Sequence, residues 1–288
     1  MRTEFLKEAT QSNAAASVVQ VVADNWLEEG PHHRFLNTIG SQLPISAHFL
    51  SANLGGPDEL DASYLDFMVK FCRKFKPTKV SEHLAMTRFG SHYFHDLLPF
   101  PWTSSFRDSV CRKIDCIQKA VGGRLLIENL SYYEQLDDHS MTEADFLSQL
   151  HDRTGCGFLL DINNLANNEK NFGVNARQFI QDLNPKAVEE IHLAKSTLVD
   201  HLWIDDHSGY PEPSSLDLLY ELESGFEYQK PSIIFEQDNN LGSFTEYLSF
   251  VAELEEEPAI KDFKARGFCR STRKATNRND SVVGHREL

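Results

Sequence analysis

Three features of this 288-residue sequence predict an α/β fold of the TIM type, a parallel (β/α)8 barrel whose first strand is incomplete or missing. Short apolar or β-branched runs alternate with stretches of helical spacing along the chain. The runs are brief and bounded by turn residues, as fully buried parallel strands are. The strand ends carry acids or imidazoles, at the end where parallel α/β folds bind ligands.

Met1 to Asn13 reads as helical and polar, too polar for a buried opening strand. Ser17 to Ala23 is the first β-branched run and ends at Asp24. A helix follows from about His33 to Ser41, and Pro44 to His48 is the second strand. Ala52 to Asp58 is a Gly-containing loop. Asp61 is a suitable N-cap for a helix reaching Phe75, with Leu65, Met68, Val69 and Cys72 on one face. Lys79 to His83 is the third strand, followed by a long loop carrying Arg88, His92 and His95. Ser104 to Val121 is helical, and Gly123 to Asn129 is a strand with Glu128 at its end. Thr142 with Asp145 resembles a capping box and opens the next helix. Gly157-Phe158-Leu159-Leu160-Asp161 is a fifth strand, and Val174 to Leu183 is helical. Val188 to His192 is the sixth strand, and a loop with Asp205-Asp206-His207 follows it. Ser214 to Ser224 is helical, Pro231 to Glu236 is the seventh strand, and a last helix runs from about Ser243 to Glu256.

The net charge of −15 is unevenly spread. Residues 258–288 hold eight basic and three acidic residues, which leaves residues 1–257 at −20. The expected organisation is a barrel over 1–257 and a basic, flexible tail over 258–288. The acidic body argues against a nucleic-acid partner, since phosphate contacts need clustered Lys and Arg. No apolar run approaches membrane-spanning length, so no membrane partner is expected. Five cysteines without a CxxC pair fit a reducing cytoplasm.

A parallel barrel brings its strand C-termini to one rim. Asp24, His48, His83, Glu128, Asp161, His192 and Glu236 should therefore converge, with Asp205 and His207 above them. Imidazoles mixed with carboxylates suit iron, manganese, zinc and similar divalent ions. Several carboxylates crowded into one buried rim need cations nearby. Eight or nine donors exceed what one ion requires, which points to two or more ions bridged by carboxylates.

Ser81-Glu82-His83-Leu84, His95-Asp96-Leu97-Leu98-Pro99, Leu126-Ile127-Glu128-Asn129, Thr154 to Asn164, Glu190-Ile191-His192-Leu193-Ala194 and Glu236-Gln237-Asp238 together resemble the multinuclear non-haem iron-dependent oxidases. That family includes the methanobactin synthase iron subunit and the peptide cysteine oxidase of thiaglutamate synthesis. The resemblance runs from about Val18 to Glu253. It implies two or three iron ions held by His48, His83, Glu128, Asp161, His192, Asp205, His207 and Glu236. Asp24, Asn129 and Asn164 are the candidate catalytic residues beside them. The implied chemistry is O2-dependent oxidation of a cysteine in a ribosomally made precursor peptide, delivered by a separate partner protein. Two departures stand out: the family's glycine-rich opening strand is absent, and Lys195-Ser196 replaces its usual Gly-His. Two other readings fit the same rim: a different divalent-metal barrel such as a sugar isomerase, or a non-catalytic barrel that binds a peptide or partner.

Overall fold

The computed structural model describes residues 5–9, 17–26, 30, 32–224 and 230–269. Its centre is a seven-stranded, all-parallel sheet curled into a nearly closed barrel. The strands are β1 (Val19–Val22), β2 (Ile45–Phe49), β3 (Lys79–His83), β6 (Leu125–Glu128), β7 (Gly157–Asp161), β8 (Val188–Leu193) and β11 (Ser232–Phe235), in that spatial order. Each predicted strand is present. Among the described residues no eighth strand joins β11 back to β1, as expected from the polar start of the chain. A cavity of about 820 Å³ lies along that seam, lined by Val19, Ile233, Phe235 and Tyr247 and reaching Glu236 at the rim.

Helices surround the sheet: α1 (Leu6–Ala9), α2 (His32–Gly40), α3 (Ala62–Phe75), α4 (Ser104–Val121), α5 (Glu143–Thr154), α6 (Ile162–Phe172), α7 (Ala176–Asp182), α8 (Pro213–Leu218), α9 (Phe244–Glu256) and α10 (Pro258–Cys269). Their ends follow local chemistry. Asp61 accepts from the backbone N–H of Ser63 and Tyr64, and Thr142 from that of Asp145. Gly122, Gly155 and Gly173 close α4, α5 and α6 in the left-handed region that a residue without Cβ adopts freely. Helix α4 buries Val110, Ile114 and Ile117 at helical spacing against the strands.

Four stretches differ from expectation. The long loop after β3 is a hairpin, β4 (Met86–Phe89) and β5 (His92–Leu98). The loop after β8 is also a hairpin, β9 (Ser196–Val199) and β10 (Leu202–Asp205). Polar residues in both obscure the period of two. Helix α6 starts directly from β7, because Asp161 ends the strand and caps the helix through Asn164 N–H; the Asn-Asn pair reads locally as a turn. The first twelve residues beyond 257 form α10 rather than loose tail, with Ala259, Ile260 and Phe263 buried. Residues 270–288, and the part of the expected N-terminal helix outside 5–9, lie outside the described residues.

The barrel interior is not wholly apolar. Glu190 of β8 is fully buried and accepts from Gln20 Nε2 at 2.5 Å and Ser46 Oγ at 2.8 Å. Lys79 Nζ lies 3.3 Å from its other oxygen. Parallel register puts Gln20 beside Ser46, two residues before Val22 and His48. This paired layer forms the floor of the site above it.

Candidate metal centre

The strand ends do converge. His48 Nε2 and His83 Nε2 each lie 3.2 Å from Glu128 Oε2. On the other side of the same carboxylate, His192 Nδ1 is 3.2 Å from Glu128 Oε1, 3.9 Å from Asp161 Oδ2 and 3.1 Å from Glu236 Oε2. His207 Nε2 sits 2.9 Å from Asp205 Oδ2 and 3.8 Å from Glu236 Oε2. All eight predicted ligands therefore form one connected cluster. Two groups within it are compact enough to hold an ion each: His48, His83 and Glu128, and Glu128, Asp161 and His192. Glu128 belongs to both, the position of a bridging carboxylate.

The donors fit cations better than they fit one another. Glu128 Oε2, His83 Nδ1 and both ring nitrogens of His192 are buried without a hydrogen-bond partner, although charged neighbours stand within 4 Å. Buried polar atoms normally pair, so this concentration of orphans marks a place built for something else. The electrostatics agree. Burial pushes the His48 imidazole down to about 3, which suits a neutral ligand. Burial alone would raise the Glu128 carboxyl, but the His83, His192 and His48 rings hold it down to about 2. Burial, with Asp205 and Glu128 nearby, drives Asp161 well above the usual carboxylate range. A divalent cation would relieve that burial and repulsion.

The other three candidates stand outside this cluster. Asp24 follows β1 and accepts from Leu50 N–H at 3.0 Å and from Tyr64 Oη, so it ties down the exit from β2. The Asn129 side chain donates to Asp161 O and accepts from Asp161 N–H, both at 2.9 Å. Asn164 Nδ2 donates to Asn129 O. These asparagines brace the backbone that carries Glu128 and Asp161.

Three supporting residues escape a reading of strand ends. Ser81 Oγ lies 2.9 Å from His48 Nδ1, leaving Nε2 to face Glu128. Asn163 Nδ2 donates to Asp205 Oδ1 at 2.7 Å and to Ser196 Oγ. Asp238 Oδ2 lies 3.2 Å from His207 Nδ1. Such contacts orient ligating groups and fix the imidazole tautomer. For Ser81 a signal existed, because it sits two residues before His83 and so shares its face.

Fold and site together define a parallel β/α barrel with a multinuclear candidate metal centre at its rim. The barrel is similar to L-ribulose 3-epimerase (TM-score 0.56, 12% identity, 96% of this chain and 94% of that one). It is likewise similar to endonuclease IV from Thermus thermophilus (TM-score 0.55, 16% identity, 88% and 94%). At such identities the likeness concerns the fold alone. The sequence is more specific. A UPF0276 protein of Acaryochloris marina is 34% identical over 244 residues, 85% of this chain and 88% of that protein. Another, from Rhizorhabdus wittichii, is 36% identical over 208 residues, 72% and 74%. Residues 1–258 match the model of the MbnB/TglH/ChrH RiPP precursor modification enzymes, and the chain belongs to that family.

Proposed function

We propose that the protein is a non-haem iron oxidase that uses O2 to modify a cysteine of a ribosomally made precursor peptide. The observation that carries this reading is the shared Glu128. It joins an imidazole-rich group (His48, His83) to a carboxylate-rich one (Asp161, His192), while Asp205, His207 and Glu236 extend the set to a third position. Mixed imidazole and carboxylate donors suit ferrous and ferric iron, and O2 chemistry on a thiol needs a redox metal. Family membership supports a peptide substrate.

When bound, iron would hold the substrate thiolate and O2 and carry electrons between them. The chain's own residues supply the rest. Ser81 and Asp238 fix the rings of His48 and His207. Asn163 holds one oxygen of Asp205 away from His207. Asn129 and Asn164 lock Asp161 to the end of β6. Burial of Glu128 and His192 keeps bulk water from the inner donors. A partner protein that delivers the precursor belongs to this reading, as does a reducing cytoplasm, in which Cys72, Cys111, Cys116 and Cys156 stay as the free thiols seen here.

The test is direct. Protein loaded anaerobically with Fe2+ should bind two or three irons, absorb in the visible and, with O2, change the mass of a cysteine-bearing peptide. Colourless protein that takes up only Mg2+ or Mn2+ favours an isomerase-like barrel instead. His192→Ala and Asp161→Ala should each lose iron and activity while staying folded. A full iron complement in either variant refutes the ligand assignment.

A further inference from the structure

Large apolar side chains are exposed at five places among the described residues: Phe89, Tyr93, Leu198, Val199 and Tyr220. Four of the five lie on the two hairpins. Both hairpins rise from the rim, β4–β5 from the strand that carries His83 and β9–β10 from the strand that carries His192. Tyr93 is 65% exposed and Phe89 59%, values no packing role in a lone chain explains.

The hairpins share a second property. Each has one edge pinned to the body by an asparagine amide. Asn53 Oδ1 accepts from Thr87 N–H and Arg88 N–H, and its Nδ2 donates to Arg88 O, so the outer edge of β4 is held. Asn171 does the same for β10, accepting from Trp203 N–H and donating to Trp203 O. Both ribbons are two-stranded. Among the described residues, β5 and β9 therefore present their other edges without a neighbouring strand. The exposed apolar residues flank those edges: Tyr93 is on β5, and Leu198 and Val199 are on β9. Phe89 and Tyr93 come from adjacent cross-strand pairs, Phe89 with His92 and Arg88 with Tyr93, so they face opposite sides of the ribbon.

An apolar residue on each face beside an open edge is the complement of a strand. A strand added there places alternate side chains on both faces, whereas a globular partner resting on one face would leave the other exposed. We propose that the open edge of β5, seven residues long, takes up an extended apolar segment of the precursor peptide as an added strand, with the β9 edge as the contact across the mouth. This deepens the proposed function and rests on its peptide substrate. It supplies what the buried metal centre lacks, a surface that holds the peptide backbone above the rim while one side chain reaches down.

The test uses the whole chain and a fluorescein-labelled synthetic peptide of sixteen residues, alternating valine and threonine and ending in cysteine. Binding is followed by anisotropy, with and without Fe2+. The peptide should bind, and one alternating serine and threonine should not. N-methylation of every second amide should weaken binding about tenfold or more in one phase and little in the other, because only one set of N–H groups faces the edge. The double variant Phe89→Ser/Tyr93→Ser should lose about tenfold in affinity with unchanged metal content. Equal effects of the two N-methylated series, or wild-type binding by the double variant, overturns the proposal. Dimers of the unmodified chain that the double variant abolishes would also overturn it, by making a second copy the occupant. Binding requires no turnover, so this surface can stand if the iron chemistry fails. Modification of free cysteine peptides that the β5 edge does not bind would sink this surface alone.

Discussion

Ser81 shows how much rests on one hydroxyl. It is fully buried and meets His48 Nδ1, so Nε2 is the nitrogen left for an ion. Ser81→Ala should preserve the fold and lower metal affinity about 10- to 100-fold, read by competition with a chelating dye. An unchanged affinity would mean the ring is oriented by packing alone. Glu143 is a second residue whose environment dominates it. It opens α5 yet is buried, and burial pushes its carboxyl up to about 8 from 4.5. Between those values it stays protonated in the fold and ionises in the unfolded chain. The unfolded state then binds fewer protons, so this contribution to stability is full below about pH 4.5 and is lost as pH rises toward 8. Glu143→Gln should remove that slope and be more stable than the parent at pH 8 by roughly 2 kcal/mol. Parallel denaturation curves from pH 5 to 8 would assign the pH dependence elsewhere.

At the scale of elements, the loop after β2 is held by a helix on the barrel's outside. Lys113 of α4 is buried and donates through Nζ to the carbonyls of Asn53, Leu54 and Gly56. The loop is tight: a Cβ on Gly55 would meet the Phe100 ring at 2.1 Å. Asn53, fixed this way in the left-handed region, pins β4 in turn. Lys113→Met orphans three carbonyls, two of them outside any helix ladder. It should cost about 2–4 kcal/mol, seen as a lower denaturant midpoint with an unchanged slope. A cost below about 0.5 kcal/mol would mean water replaces the ammonium freely. This contact joins residues 60 positions apart, and nothing in local spacing announces it. The α6 asparagines are similar: Asn167 and Asn168 look like breakers in the sequence, yet they donate to Ser131 Oγ and Leu130 O and tether the segment after Glu128.

For the whole molecule, the rim is a concentration of acid that the fold itself does not neutralise. Glu128, Asp161, Glu236 and Asp205 face three imidazoles in a space where His192 has no exposure. Metal binding should therefore stabilise the native state specifically. Dialysis against a strong chelator should lower Tm by about 5–10 °C, and Fe2+ should restore it. A Tm indifferent to metal would place the cluster among ordinary buried networks and end the metal-centre reading.

Seven strands, their order of appearance and the chemical character of their ends were readable from the chain alone. Short apolar runs closing on His or acid are set by residue type and spacing, and a parallel barrel has one rim to which such ends can go. The polar start likewise announced a barrel without its first strand. Other features exist only once the chain closes. The hairpins mix polar and apolar residues because most of their surface meets water, so periodicity is lost. Helix α6 begins where a turn was expected, because Asp161 serves strand and cap together. The bridging place of Glu128, the orphaned nitrogens of His192, and the divide between eight clustered donors and the bracing Asp24, Asn129 and Asn164 depend on distances between strands. Sequence states which groups are present at a strand's end; tertiary closure alone decides which of them face one another closely enough to share an ion.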